Sequence, residues 1–77
     1  MVIKFSASAD KHQVPNTSAE YVALTGKPEP ITTNWGEPGT MFVGVDDRGV
    51  ELEVITVVRR GVEYVKHAMP TSYRFKG

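Results

Sequence analysis

The sequence contains no cysteine and only two histidines, His12 and His67. Without cysteine, no disulfide can stabilise the fold and no thiolate can act as nucleophile or metal ligand. The two histidines lie 55 positions apart, and no acidic cluster with ligand spacing surrounds either of them. The sequence therefore predicts neither a metal site nor a cofactor.

Long apolar runs and nucleotide-binding motifs are also missing. No apolar run approaches the ~20 residues of a membrane span, and Met1–Phe5 does not begin the run of about 7–15 apolar residues of a signal peptide. We therefore expect a cytoplasmic protein without a membrane partner. Because the sequence has no Ser/His/Asp arrangement, phosphate-binding glycine loop or dinucleotide fingerprint, it does not predict a serine hydrolase, a kinase or a dehydrogenase.

The length and charge of the chain set the next expectations. Its 77 residues, 40% hydrophobic and 23% charged, predict a single domain spanning residues 1–77. The net charge is zero, but residues 1–58 carry four cations against eight anions, whereas residues 59–77 carry five cations against one anion. A basic C-terminal end is suited to an anion such as RNA phosphate, or to an acidic protein.

Two short helices are predicted in the first third of the chain. Residues 6–13 can form one or two turns, which Pro15 interrupts because the residue before a proline disfavours the helical conformation. A second helix is predicted from Thr17 and Glu20, which have the spacing of a capping box, up to Gly26 in the left-handed conformation. The apolar side of this helix consists of Tyr21, Val22 and Leu24.

The remainder predicts a sheet. A loop rich in proline and glycine over residues 27–40 leaves room only for a short edge strand at Ile31–Trp35, and we expect the Trp35 indole to cover one end of the core. Three antiparallel strands follow at Met41–Val45, Val50–Val58 and Val62–Met69, joined by turns at Asp46–Gly49 and Arg59–Gly61.

Strict alternation along the last strand assigns its side chains to two faces. It places Val65, His67 and Met69 on one face, and Tyr64, Lys66 and Ala68 on the other. The predicted fold is α+β, with one or two short N-terminal helices packed on a three- to four-stranded antiparallel sheet.

The end of the chain gathers residue types that suit RNA cleavage without a metal. That reaction needs a base for the 2′-hydroxyl proton, an acid for the leaving oxygen and cations for the phosphate. The catalytic candidates are His67, His12 and Tyr73, and the candidates for binding nucleic acid or another anion are Arg59, Arg60, Lys66 and Arg74. A structural role stays open for each of these residues. His67 can be a half-buried histidine, His12 a helix cap and Tyr73 an anchor of the chain end, and the arginines can be solvated cations.

Three segments resemble the small BrnT-like toxins of the RelE-like ribonuclease group. Phe42–Ile55 and Val65–Arg74 are similar to their C-terminal sheet, and Ala9–Pro15 is similar to the segment that leads into their helix. The resemblance implies a RelE-like fold, growth inhibition by a metal-independent endoribonuclease, and an antitoxin partner. It matches His12 to the histidine of the leading segment, Arg59 or Arg60 to a basic hairpin, and His67 with Arg74 to the end of the last strand.

A second hypothesis keeps the fold without the chemistry. In it the protein is a growth-modulating binding protein, of the mobile-element or phage type, that docks on a host protein; the zero net charge favours it. Under either hypothesis we expect a partner, whether RNA, a host protein, an antitoxin or a second copy, because Met41–Val45 or Ile31–Trp35 leaves a sheet edge that can pair with another chain.

Overall fold

A computed structural model describes residues 3–5 and 14–75 of the chain. Its elements, in order, are β1 (Ile3–Phe5), α1 (Asn16–Thr25), β2 (Lys27–Thr32), β3 (Pro38–Val45), β4 (Glu51–Arg59), β5 (Val62–Pro70) and a 3₁₀ helix (Thr71–Phe75). The strands form one sheet in the order β1-β5-β4-β3-β2. The pairing of β1 with β5 is parallel, and the other three pairings are antiparallel.

The predicted fold is therefore wrong in its sheet and its helices. The sheet has five strands and is mixed, and the described part of the chain contains one α-helix; the helix predicted at residues 6–13 lies outside the described residues. Strand β1 was not predicted, because its parallel pairing joins segments that are far apart in the sequence, as Ile3 and Glu63 are. Such a pairing leaves no signal in the local sequence pattern.

The edge strand predicted at Ile31–Trp35 lies earlier in the chain, as β2, which contains Pro28 and Pro30. These residues lie two positions apart, so their nitrogens lie on the same side of the strand. An edge strand accepts proline where that side faces away from its neighbour, because no ladder hydrogen bond is lost there. Met41–Val45, expected near an edge, lies inside the sheet, since β3 pairs with both β2 and β4.

Helix α1 covers one face of the sheet, where the core lies. It begins at Asn16 after Pro15 and has no side-chain cap, so the predicted capping box of Thr17 and Glu20 does not form. The buried side of the helix is also different from the predicted one, because Tyr21 and Leu24 are exposed. The core cluster consists of Val14, Ala19, Val22, Ala23, Leu52, Val54, Val65 and Ala68.

Two glycines allow α1 to lie close to β3. Gly26 ends the helix in an extended conformation, with φ −72° and ψ 166°, and not in the predicted left-handed one. A Cβ on Gly26 would lie 3.1 Å from the Val43 carbonyl oxygen of β3, and one on Gly44 would lie 3.0 Å from the Gly26 Cα. These glycines are therefore required for close packing.

The two hairpin turns agree with their prediction. Gly49 has φ +82° in the first turn, and Arg60 and Gly61 have φ 53° and 76° in the second. Positive φ at both central residues is the geometry of the two-residue hairpin that matches strand twist. None of the helices described here is long and apolar enough to cross a membrane.

Strand β5 contains a β-bulge at Lys66. Ile55 pairs with His67 and Thr56 pairs with Val65, so Lys66 is the extra residue of β5, opposite the step from Ile55 to Thr56. The extra residue places Val65 and Ala68 on the same side, in the core under α1. The strictly alternating faces predicted for β5 are therefore wrong.

Candidate functional site

The face of the sheet opposite α1, which we call the open face, carries two rows of side chains in register. One row runs from Met41 on β3 through Ile55 on β4 to His67 on β5. The neighbouring row runs from Val43 through Glu53 to Met69. These strands thus present a mixed apolar and ionisable surface, because their other set of side chains is used by the core.

A pocket of about 380 Å³ lies on the open face. Its floor is formed by β4 and β5, through Glu53, Ile55, Lys66, His67 and Met69. Its wall is the end of β2 and the loop that follows, residues 31–35. The volume is at the lower end of the range of about 300–1,000 Å³ that is usual for small-molecule sites.

Glu53 and His67 form an ion-pair geometry in this pocket. The His67 Nε2 lies 3.1 Å from the Glu53 Oε2. The side chain of His67 is 28% exposed, whereas that of Glu53 is 8% exposed. A ligand in the pocket therefore reaches the imidazole more easily than the carboxylate, which suits Glu53 to orienting the ring.

The bulge in β5 brings Lys66 to the same pocket. In a regular strand, Lys66 and His67 would point to opposite faces of the sheet. Because Lys66 is the extra residue of the bulge, both side chains line the pocket. Bulges often occur beside functional sites, where they re-aim a side chain in this way.

The wall of the pocket is held by a network around Glu37. The Glu37 carboxylate accepts hydrogen bonds from Trp35 Nε1 at 2.7 Å and from Arg59 Nη2 and Nε at 2.6 and 2.9 Å. The bonds from Arg59, followed by that from Trp35, lower the pKa of Glu37 to about 2. Thr33 fixes the backbone of the same loop, since its hydroxyl donates to the Glu37 carbonyl at 2.9 Å.

The structure brings together only part of the predicted site. His67 and Lys66 share the pocket, and Arg59 contacts its wall through Glu37. Arg60 lies exposed in the β4–β5 turn, and Tyr73 lies in the 3₁₀ helix and does not line the pocket. The backbone of Arg74 belongs to the same 3₁₀ helix. His12 lies outside the described residues.

Sequence reasoning missed two side chains of the site, Glu53 and Trp35. Glu53 lies in strand register between Val43 and Met69 and is buried, although a glutamate in an alternating strand pattern is normally solvated. Trp35 was expected to cover the core, and that is wrong because the residue is 55% exposed and lines the pocket. The contact between Glu53 and His67 depends on the register of β5 against β4, which the sequence pattern does not supply.

Two further results limit the reading of this site. Within residues 3–5 and 14–75, no group of three or more histidine, cysteine, aspartate or glutamate side chains could hold a metal ion. Comparison with protein families, with curated proteins and with solved structures finds no match to this chain. The chemistry of the pocket is therefore the basis on which a function can be proposed.

Proposed function

We propose that the protein is a growth-inhibiting, toxin-like endoribonuclease that cleaves RNA in the open-face pocket without a metal ion. The observation that carries this proposal is the 3.1 Å contact between His67 and the less exposed Glu53 in an open pocket that Lys66 also lines. An oriented imidazole with a neighbouring cation is a suitable set for transesterification at phosphorus.

The reaction assigns one role to each of the three side chains. The His67 imidazole takes the proton from the 2′-hydroxyl, the 2′-oxygen attacks phosphorus, and the bond from phosphorus to the 5′-oxygen breaks. The resulting imidazolium returns the proton to the departing 5′-oxygen, so the products are a 2′,3′-cyclic phosphate and a 5′-hydroxyl. Lys66 stabilises the negative charge on the phosphoryl oxygens.

Glu53 acts through His67 and is a positioning residue. With a proton on Nε2 donated to the carboxylate, the basic nitrogen of the neutral ring is Nδ1. The carboxylate also stabilises the imidazolium that forms when the ring accepts the substrate proton. Replacing Glu53 should therefore slow the chemical step more than it weakens RNA binding.

The test is RNA cleavage in the presence of a chelator, with His67→Ala, Glu53→Gln and the control Glu29→Gln. Removal of the general base is expected to lower the single-turnover rate by about 10²–10⁴-fold. Glu53→Gln should lower the same rate and leave the Kd for 2′-O-methyl RNA within about twofold, which is about 0.4 kcal/mol. Glu29 lies on exposed β2 and does not line the pocket, so its variant should cleave like wild type.

Circular dichroism must first establish that each variant is folded. The proposal is wrong if wild-type protein leaves RNA intact in chelator, or if folded His67→Ala cleaves as fast as wild type. If Glu53→Gln weakens RNA binding as much as it lowers the cleavage rate, the carboxylate has a general structural role and does not position His67.

A second candidate function is docking on a host protein, and the apolar members of the open face favour it. Met41, Val43, Ile55 and Met69 are only partly buried there. Growth of a bacterium that expresses the chain separates the two functions. A ribonuclease requires His67, so His67→Ala should abolish inhibition; a docking protein should instead lose its effect in a folded Val43→Asp variant and keep it in His67→Ala.

A further inference from the structure

Trp35 is placed unusually for the largest apolar side chain of the chain. It is the single tryptophan of the sequence, and 55% of it is exposed. Tryptophan is on average a highly buried residue, so an indole that leaves this much surface in water is informative. It also lines the pocket that contains His67.

The exposed indole is held in position. Its Nε1 donates to Glu37 Oε1 at 2.7 Å, and the same carboxylate accepts two hydrogen bonds from Arg59. Because the Glu37 pKa is about 2, this carboxylate stays charged throughout the neutral range. A ring that is already fixed loses little conformational entropy when a ligand packs on it.

We propose that Trp35 is a stacking platform for one unpaired nucleobase, so that the substrate of the open-face pocket is single-stranded RNA. This inference rests on the proposed function and specifies its substrate. The indole supplies an aromatic face, and Lys66 in the same pocket supplies a cation for the adjoining phosphate. Aromatic platforms bind successive bases of single strands with little sequence preference, because every base has a π-face.

Duplex RNA does not fit this arrangement. Its bases are stacked on both sides, and recognition of double-stranded RNA uses the shape of the helix and the 2′-hydroxyls instead. An unpaired base can leave its stack and pack on the indole beside Ile55 and Met69, the apolar part of the pocket floor. Trp35 thus selects for unpaired RNA next to the bond that His67 would cleave.

The single tryptophan provides its own reporter. Wild-type protein is titrated with a short 2′-O-methyl RNA, which cannot be cleaved because its 2′-oxygen has no proton, and with a duplex of the same sequence. The single strand should quench Trp35 fluorescence, and the duplex should not. Loss of one stacked base weakens binding by about 10- to 100-fold. We therefore expect that loss by fluorescence anisotropy for Trp35→Ala, with most of the affinity restored in Trp35→Phe.

The matched control is Tyr21→Ala, which removes another exposed aromatic ring, on α1 at the opposite face of the sheet. Its affinity for the single strand should equal that of wild type. The stacking proposal is overturned if the duplex binds as tightly as the single strand, if the single strand binds without quenching, or if Trp35→Ala binds normally. Failure of cleavage with intact quenching would reject the nuclease and keep the platform, whereas absence of any RNA binding would reject both.

Discussion

Asp46 illustrates how one buried carboxylate organises a turn. Its Oδ1 accepts the backbone N–H groups of Arg48 and Val50, at 2.8 and 2.9 Å, and its Oδ2 accepts Arg48 Nε at 2.9 Å. Burial raises the pKa of Asp46, but these hydrogen bonds from Val50 and Arg48 outweigh it and hold the pKa below 3.8. The turn between β3 and β4 is therefore fixed by a charged acceptor.

The first prediction is that Asp46→Ala destabilises the protein by about 2–3 kcal/mol, because two backbone N–H groups and a guanidinium lose their acceptor. Asp46→Asn should cost about 1 kcal/mol, since an amide oxygen still accepts both N–H groups but the charge opposite Arg48 is lost. Urea unfolding of the three proteins at neutral pH measures both differences. Equal stability of wild type and Asp46→Ala would contradict the role given to this side chain.

The pH dependence of this effect has a definite sign. Because the pKa of Asp46 is lower in the folded state than its usual 3.8, its stabilisation is complete above 3.8 and is lost as the pH falls below that value toward the folded pKa. The difference in unfolding free energy between wild type and Asp46→Asn should therefore shrink in acid. A difference that stays constant down to the acid unfolding transition would contradict this account.

The burial of single residues on β4 could not be predicted from the sequence pattern. Glu51 and Glu53 have the same place in the alternating pattern of β4, yet Glu51 is exposed and Glu53 is buried. Their surroundings decide the difference: Glu51 accepts a hydrogen bond from Thr71 at 2.6 Å, whereas Glu53 lies beside His67 and the loop wall. Such neighbours depend on register and loop path, which no local pattern contains.

At the scale of elements, the β-bulge connects the core to the site. Strand β5 places both Val65 and Ala68 under α1. Because side chains alternate between the two faces, residues three positions apart share a face only when the strand contains an extra residue between them. That residue, Lys66, then points into the pocket with His67. The arrangement of the site is thus a consequence of how the core is packed.

The second prediction compares Lys66→Ala with deletion of Lys66. The deletion gives Val65 and Ala68 a spacing of two, so the regular strand keeps both in the core and the stability should stay within about 1 kcal/mol of wild type. His67 would then alternate with Val65 and Ala68 and stay on the open face opposite Ile55, so the deletion variant should cleave about as fast as Lys66→Ala, which also lacks the cation.

Thermal unfolding and single-turnover cleavage measure the two quantities. If the deletion variant is folded but cleaves much more slowly than Lys66→Ala, the bulge positions His67 as well as Lys66, and the account in which it only brings the cation to the pocket is wrong. A charge-preserving control, Lys66→Arg, should keep most of the activity, because it leaves both the bulge and the cation in place.

The strands that follow local rules were predictable and the others were not. β3, β4 and β5, with their glycine turns, come directly from alternation and positive φ positions such as Gly49. β2 was predicted too late in the chain because Pro28 normally argues against a strand, and β1 was missed because its three residues pair with a distant segment. The bulge contains no glycine, so nothing in the sequence of β5 signals it.

At the scale of the whole molecule, part of the charge separation along the sequence is cancelled in space among the described residues. Arg59, from the basic end, pairs with Glu37 from the acidic part, and Lys66 shares its pocket with Glu53. Among the residues that line the pocket, Lys66 is the one lysine or arginine. Any RNA bound there should therefore make few phosphate contacts.

The last prediction is the salt dependence of single-stranded RNA binding. A slope of about −0.7 in log K against log salt concentration is expected for each phosphate neutralised on a single strand, so one or two contacts give about −0.7 to −1.4. Lys66→Ala should reduce the magnitude of the slope by about 0.7. Arg60→Ala, which removes a cation in the β4–β5 turn away from the pocket lining, should leave it unchanged. If the slope decreases only in Arg60→Ala, the phosphate backbone crosses the turn and bypasses the pocket. If the slope of the wild type is near zero, phosphate contacts do not hold the ligand, which is the behaviour of an apolar docking face.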